Sequence, residues 1–118
     1  MPIFEPFAVV RVPFPFTDRA VQRRRPAVVL SDPEFQRGSA HLLLAMITTA
    51  RRSCWPLDWQ IQDVAAAGLN QACCVRFKLF SLDERLVLGQ LGRLAGHDCS
   101  GVGATLRRLL ACEEGAGP

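Results

Sequence analysis

The sequence lacks the residue patterns that build metal sites and disulfide frameworks. It has five cysteines, two of them adjacent, and no Cys-x-x-Cys pair, which argues against a zinc site and against a secreted disulfide scaffold. The two histidines, His41 and His97, have no acidic or cysteine neighbour at ligand spacing. We therefore expect no metal and no cofactor, and we interpret the cysteines as small apolar core residues.

An export signal and a long apolar run are also missing. The segment Met1–Glu5 has no basic stretch followed by an apolar one, and the longest apolar run, Leu42–Ile47, is too short to span a bilayer. A chain of 118 residues that is 49% hydrophobic and 21% charged is typical of one globular domain. These features predict a cytoplasmic protein without a membrane partner.

Short segments rich in β-branched and aromatic residues dominate the first ninety positions. Because proline has no amide N–H, Pro26 is expected at the first position of its strand. Asp32-Pro33 and Gly38-Ser39 are expected to bound a turn, and residues 50–72 are expected to be irregular. The predicted strands are Phe7–Phe14, Pro26–Ser31, His41–Thr49, Cys73–Phe80 and Arg85–Leu94.

The C-terminal part of the sequence has helical periodicity. Residues from Gly96 to Cys112 are predicted to form a helix that Asp98 or Ser100 caps. Residues 113–118 are expected to form a frayed tail. The pattern therefore predicts a mainly β fold, a small barrel with one C-terminal helix.

Arginines are concentrated just before the second strand. From Arg19 to Arg25 there are four arginines and no acid, and Arg51-Arg52 form a second pair. Such clusters suit phosphate, because guanidinium stays charged and donates a fork of hydrogen bonds. Clustered arginine is also common on solvated loops, so the residues alone leave both interpretations open.

Six short stretches of the sequence form a distinctive series: Val12–Asp18, Arg25–Ser31, Ala45–Thr49, Ala67–Leu69, Val75-Arg76 and Leu91–Leu94. In this order and spacing they resemble the PemK/MazF family of toxins from bacterial toxin–antitoxin pairs, over roughly residues 7–111. The resemblance implies an SH3-like barrel in one domain, residues 1–112, that forms a homodimer. It further implies cleavage of single-stranded RNA without a metal ion, and inhibition by a cognate antitoxin.

The same resemblance assigns the candidate site. The family's arginine corresponds to Arg25, which would stabilise charge on the reacting phosphate, and its threonine corresponds to Thr48, which would position that phosphate or the 2′-hydroxyl. Thr49 replaces Thr48 if the strand register slips by one residue. The expected RNA-binding residues are Phe16, Thr17, Asp18, Arg23, Arg24, Thr49 and Arg76.

Structural roles remain open for four side chains in or near this set. Asp18 is of a type that often caps its own turn, and Arg76 is equally suited to anchoring a strand. Phe14 and Phe16 are suited to stacking on unpaired bases, but two phenylalanines at a spacing of two are also typical of a core.

The sequence departs from the family at three places. Phe7-Ala8 replaces a Gly-Asp pair, Ala72-Cys73 replaces a Pro-Ser pair, and Lys78 stands where one subgroup has an aspartate. Two other functions therefore stay open. One is a non-enzymatic toxin of the same barrel type that inhibits a protein such as DNA gyrase, and the other is a decayed toxin that only binds antitoxin.

Overall fold

The computed structural model describes residues 2–14, 23–49 and 55–111. Within those residues all strand pairs are antiparallel, and they form one sheet in the order β4-β5-β3-β2-β1-β6. The strands are β1 (Ala8–Phe14), β2 (Arg23–Val29), β3 (His41–Thr49), β4 (Trp59–Gln60), β5 (Cys73–Asp83) and β6 (Gly89–Arg93). The helices are α1 (Pro33–Ser39) and α2 (Gly96–Leu110), with a 3₁₀ turn at Glu84–Leu86.

The sheet is buried on both faces, which explains the nearly continuous apolar runs of its central strands. Val9 and Val28 belong to one core, and Val10 and Ala27 belong to the other. The strand register shifts between Val9 and Val10 and between Ala45 and Met46. Such bulges increase the local twist of a sheet, so the mainly β, curled barrel architecture expected from the sequence is confirmed.

Several of the predicted strand ends were wrong. The strand β5 continues to Asp83, three residues beyond the predicted end at Phe80. Pro26 lies inside β2, opposite Arg11 of β1, and not at its start. Pairing of β2 with β3 begins at Ala27, one residue after Pro26. The missing N–H of Pro26 therefore removes no hydrogen bond between β2 and β3. The predicted strand Arg85–Leu94 is shorter, because the 3₁₀ turn occupies its first part and β6 begins at Gly89.

The predicted turn at residues 32–39 was also wrong, because this segment forms α1. Asp32 is its N-cap and accepts a hydrogen bond from the backbone N–H of Glu34, and Pro33 begins the helix, a position where proline is favoured. After Asp63 the chain makes a single helical turn, in which the Ala67 N–H donates to the Asp63 carbonyl, and Gly68 at φ +75° ends it. The strand β4 lies in the segment that was expected to be irregular.

The C-terminal helix was predicted correctly in position but not in its cap. Ala95 is the N-cap of α2 and makes no side-chain cap bond. Val102 is fully buried, and Leu106 packs against the same core, whereas Leu110 is about half exposed. No helix of the described residues has the length and apolar character needed to cross a membrane.

Candidate functional site

The strands β2 and β3 separate at the point where Arg25 and Thr48 lie. They pair only from Ala27–Met46 to Val29–Leu44. Before Ala27, β2 continues beside β1, and after Met46, β3 continues beside β5. If the β2–β3 register is extended by two residues, Arg25 stands opposite Thr48. The two side chains that the resemblance singled out therefore flank an opening between neighbouring strands.

This opening has a cleft on each side. The large cleft has a volume of about 490 Å³ and the small cleft about 220 Å³, and both contain Arg25, Ile47 and Thr48. The other residues of the large cleft are Arg11, Arg23, Arg24, Pro26, Thr49, Gly68, Leu69, Asn70, Gln71, Cys73 and Leu91. The other residues of the small cleft are Phe14, Met46, Arg76 and Lys78.

Arg25 is held in place yet keeps hydrogen-bonding capacity. Its side chain is half-buried, and its guanidinium carbon lies 5.2 Å from the ring centroid of Phe14, within the range of a cation–π contact. Its Nε is buried and has no hydrogen-bond partner among the described residues. A buried donor of this kind is uncommon, and an acceptor supplied by a ligand would satisfy it.

The two clefts are strongly basic. The large cleft presents Arg11, Arg23 and Arg24 in addition to Arg25, and none of the described residues that line either cleft is acidic. Arg23 and Arg24 are exposed. Together these groups make a continuous positive surface of the kind that attracts a polyanion.

The cations of the small cleft are fixed by neighbouring side chains. Arg76 donates from Nε and Nη2 to the two carboxylate oxygens of Asp58, at 3.3 and 2.9 Å. Burial opposes ionisation of Asp58, but the hydrogen bonds from Arg76 and the Trp55 backbone outweigh it and lower the pKa of that carboxyl. Lys78 Nζ lies 4.6 Å from the centroid of the Trp55 ring. Arg76 therefore both anchors β5 and lines the cleft.

One wall of the large cleft is the segment 68–71. Gly68 has φ +75°, and a Cβ placed there would lie 2.1 Å from the carbonyl oxygen of Leu91. A Cβ at Gly92 would lie 2.5 Å from the carbonyl oxygen of Ala66. Only glycine allows this close approach of the turn to β6, so these two glycines set the position of the wall.

The buried carboxylate of Asp98 fixes the start of the turn that leads to this wall. Its Oδ1 accepts from the Trp59 indole N–H at 2.9 Å and from the Gln62 backbone N–H at 2.8 Å, and its Oδ2 accepts from the Asp63 backbone N–H at 3.0 Å. Burial alone would raise the pKa of Asp98, but these three hydrogen bonds to the charged form outweigh it and lower the pKa. The residue that was expected to cap α2 instead ties α2 to the segment after β4.

Most of the predicted site residues line the two clefts. Arg25 and Thr48 line both, whereas Arg23, Arg24 and Thr49 line only the large cleft. Arg76 and Phe14 line the small cleft, and Phe14 is 37% exposed. Phe16, Thr17 and Asp18 lie outside the described residues. The functional role assigned to each of these side chains stays a prediction.

Several residues of the clefts were not predicted from the sequence. Arg11 carried a signal, because it is the one charged residue of an otherwise apolar strand. Lys78 was noted only as a departure from the family, Asn70 and Gln71 carried no signal, and Asp58 was not recognised as the partner of Arg76.

The described cysteines behave as core residues. Cys73 and Cys74 are buried and Cys99 is half-buried, all three as free thiols. Burial raises the pKa of each of these thiols. Among residues 2–14, 23–49 and 55–111, no group of three or more His, Cys, Asp or Glu side chains is arranged to hold a metal ion.

The sequence and the fold were compared with known proteins. Residues 5–110 match the model of the PemK-like, MazF-like toxins of type II toxin–antitoxin systems. Among curated proteins no match is found.

Solved structures of such toxins share the fold. A MazE–MazF crystal structure from Deinococcus radiodurans (Form III) has a TM-score of 0.75 and 21% identity, with 95% of this chain and 100% of that chain covered. An endoribonuclease in complex with its cognate antitoxin, from Mycobacterial species, has a TM-score of 0.71 and 14% identity, covering 97% and 99%. The Mycobacterium tuberculosis toxin MazF-mt6 has a TM-score of 0.69 and 17% identity, covering 91% and 99%.

Proposed function

The chain belongs to the PemK-like, MazF-like toxin family of type II toxin–antitoxin systems, and we propose that it is a toxin that cleaves single-stranded RNA without a metal ion. One observation carries this proposal. The half-buried Arg25, whose buried Nε has no hydrogen-bond partner in the described part of the chain, lines two basic clefts together with Thr48. This arrangement suits a phosphodiester whose flanking nucleotides occupy the two clefts.

The chemistry requires little from the protein, because RNA carries its own nucleophile. The 2′-oxygen attacks the neighbouring phosphorus, the bond from phosphorus to the 5′-oxygen breaks, and the products are a 2′,3′-cyclic phosphate and a 5′-hydroxyl. One proton leaves the 2′-hydroxyl and one reaches the departing 5′-oxygen. The protein must align the 2′-oxygen, phosphorus and 5′-oxygen and stabilise the charge that develops on the other phosphate oxygens.

Arg25 is suited to charge stabilisation. Its forked donors match phosphate oxygens, and its contact with Phe14 restrains it before substrate binds. A guanidinium has no acceptor atom while it is protonated, so it is a poor general base. Removing one donor of this type typically costs roughly 100- to 1,000-fold in rate.

Thr48 and the remaining cations have supporting roles in this proposal. The Thr48 hydroxyl both donates and accepts, so it can orient the 2′-hydroxyl or a phosphate oxygen. Arg11, Arg23 and Arg24 bind phosphates on one side of the scissile bond, and Lys78 binds on the other. Such contacts are independent of sequence and make affinity fall with salt.

The resemblance supplies the rest of the proposal. The protein acts in the cytoplasm as a homodimer, needs no cofactor, and is inhibited by a cognate antitoxin. Complexes with an antitoxin are known for proteins of the same fold, as in the Mycobacterial endoribonuclease.

The experiment compares a long single-stranded RNA with DNA of the same sequence, each incubated with purified protein in excess EDTA. Discrete fragments from the RNA and none from the DNA are expected, because the DNA lacks the 2′-hydroxyl. Cleavage of both would refute the proposed nucleophile. If both stay intact, the protein is not a metal-independent ribonuclease, and a DNA supercoiling assay with gyrase would then test the protein-inhibitor alternative.

A further inference from the structure

We propose that Asn70 and Gln71 select the base beside the cleaved phosphate, so that they determine where the RNA is cut. This inference rests on the proposed function, because it concerns the substrate of the same site. It adds the residues that give the reaction its sequence preference.

Asn70 and Gln71 are uncharged polar residues of the large cleft. Both side chains are exposed, and neither amide has a hydrogen-bond partner among the described residues. The same cleft contains Arg24, Arg25 and other cations. A strand whose phosphates contact these cations can therefore present a base to the two amides.

The backbone that carries the two amides is held by contacts on both sides. The backbone N–H of Leu69 donates to the carbonyl of Val64 at 2.9 Å, and the carbonyl of Ala66 accepts from the backbone N–H of Arg93 in β6 at 3.0 Å. Gly68 packs directly on the backbone of Leu91, and the carboxylate of Asp98 holds the start of the turn that leads to Gly68. The backbone beneath the two amides is therefore fixed relative to β6, which favours specific recognition.

The chemistry of the two side chains suits base edges and not phosphate. A primary amide offers two N–H donors and one carbonyl acceptor, which complement the adjacent donor and acceptor groups of an unstacked base. A volume of about 490 Å³ falls within the range of roughly 300–1,000 Å³ that small-molecule sites have. The large cleft can therefore enclose a base while Arg25 and Thr48 contact the adjoining phosphate.

The test uses a pool of RNAs with randomised sequence, cleaved in excess EDTA by wild type, Asn70→Ala, Gln71→Ala and Gln62→Ala, with the fragment ends sequenced. Gln62 is the matched control, because its amide is exposed on the neighbouring turn and does not line either cleft. The readout is the ratio of cleavage among the four bases at each position near the cut. A general loss of stability would lower all rates together and leave these ratios unchanged.

Wild type and Gln62→Ala are expected to share one preference. Asn70→Ala or Gln71→Ala should reduce the preference at a single position by between about 5-fold and 150-fold, the range for one base-specific amide pair. Asn70→Asp, which keeps the shape but only accepts hydrogen bonds, should change the preferred base.

If wild type cleaves the pool but Asn70→Ala, Gln71→Ala and Asn70→Asp all show its base preference, this inference alone is overturned. If wild type leaves the whole pool intact in EDTA, both the inference and the proposed function are wrong.

Discussion

Replacing Asp98 by asparagine tests how the cleft wall is held. The carboxylate accepts three N–H donors, from the Trp59 side chain and from the backbones of Gln62 and Asp63. Asparagine has nearly the same shape but only one oxygen. If that oxygen replaces Oδ1 it keeps two donors, and its amide group then faces the third donor, Asp63 N–H. Asp98→Asn therefore loses one charge-assisted bond and weakens two others.

The expected cost follows from these contacts. A hydrogen bond to a charged group contributes about 1.5–3 kcal/mol, and a buried donor left without an acceptor costs about 1–3 kcal/mol. We expect Asp98→Asn to lower the free energy of unfolding by about 2–4 kcal/mol. Because small domains are stable by roughly 5–15 kcal/mol, the variant should still fold.

The assay is urea denaturation at several pH values, with Glu5→Gln as a surface control that should shift stability by no more than about 0.5 kcal/mol. The pKa of Asp98 is lower in the folded than in the unfolded chain, so its contribution is fully present above the unfolded value of about 3.9. It is lost as pH falls through the folded pKa. The difference between wild type and Asp98→Asn should therefore be largest near neutral pH and shrink below about pH 4. Equal stability at pH 7, or a difference that grows in acid, would refute the reasoning.

Three further predictions concern packing and the cleft. A Cβ at Gly101 would lie 2.2 Å from the indole of the β4 tryptophan, whereas one at Gly103 meets its nearest atom at 3.8 Å. In thermal unfolding, Gly101→Ala should destabilise the protein by about 1–3 kcal/mol, and Gly103→Ala should stabilise it by about 0.5–1 kcal/mol. Equal shifts in the two variants would contradict the close contact between Gly101 and the indole. Replacing both Arg23 and Arg24 by alanine should make the slope of log K for single-stranded RNA binding against log salt concentration shallower by about 1.4, or 0.7 for each lost phosphate contact. An unchanged slope would show that these two arginines do not contact the RNA phosphates. Thr48→Val should slow RNA cleavage much more than Thr48→Ser, because serine keeps the hydroxyl, and equal rates would exclude a role for that group.

The strands were largely predictable because their signals are local. His41–Thr49 forms β3 with the expected limits, since its apolar run and β-branched end report burial on both faces. The helix α1 was missed because its signals, Asp32 as N-cap and Pro33 at the first turn, are also those of a turn. Seven residues give too little periodicity to separate a helix from a turn.

The candidate site was predictable only in part. The motifs of β2 and β3 identified Arg25 and Thr48, and the sheet brings both to the same opening. The wall at residues 68–71 was not predictable. Asn70 and Gln71 line the large cleft only because contacts between residues distant in sequence place this segment there. The bond from Asp98 to Gln62 spans 36 positions, and no local pattern reports such a contact.

The most direct test of the account is the rate of metal-free RNA cleavage by Arg25→Ala. A short single-stranded RNA containing one mapped cut site is cleaved under single-turnover conditions in excess EDTA. Arg37→Ala, which removes an exposed arginine of α1 paired with Glu34, is the matched control. We expect Arg25→Ala to cleave at a rate roughly 100- to 1,000-fold below wild type, and Arg37→Ala to cleave at the wild-type rate. Cleavage by Arg25→Ala at the wild-type rate would show that the reaction does not depend on this guanidinium, and would contradict the proposed site.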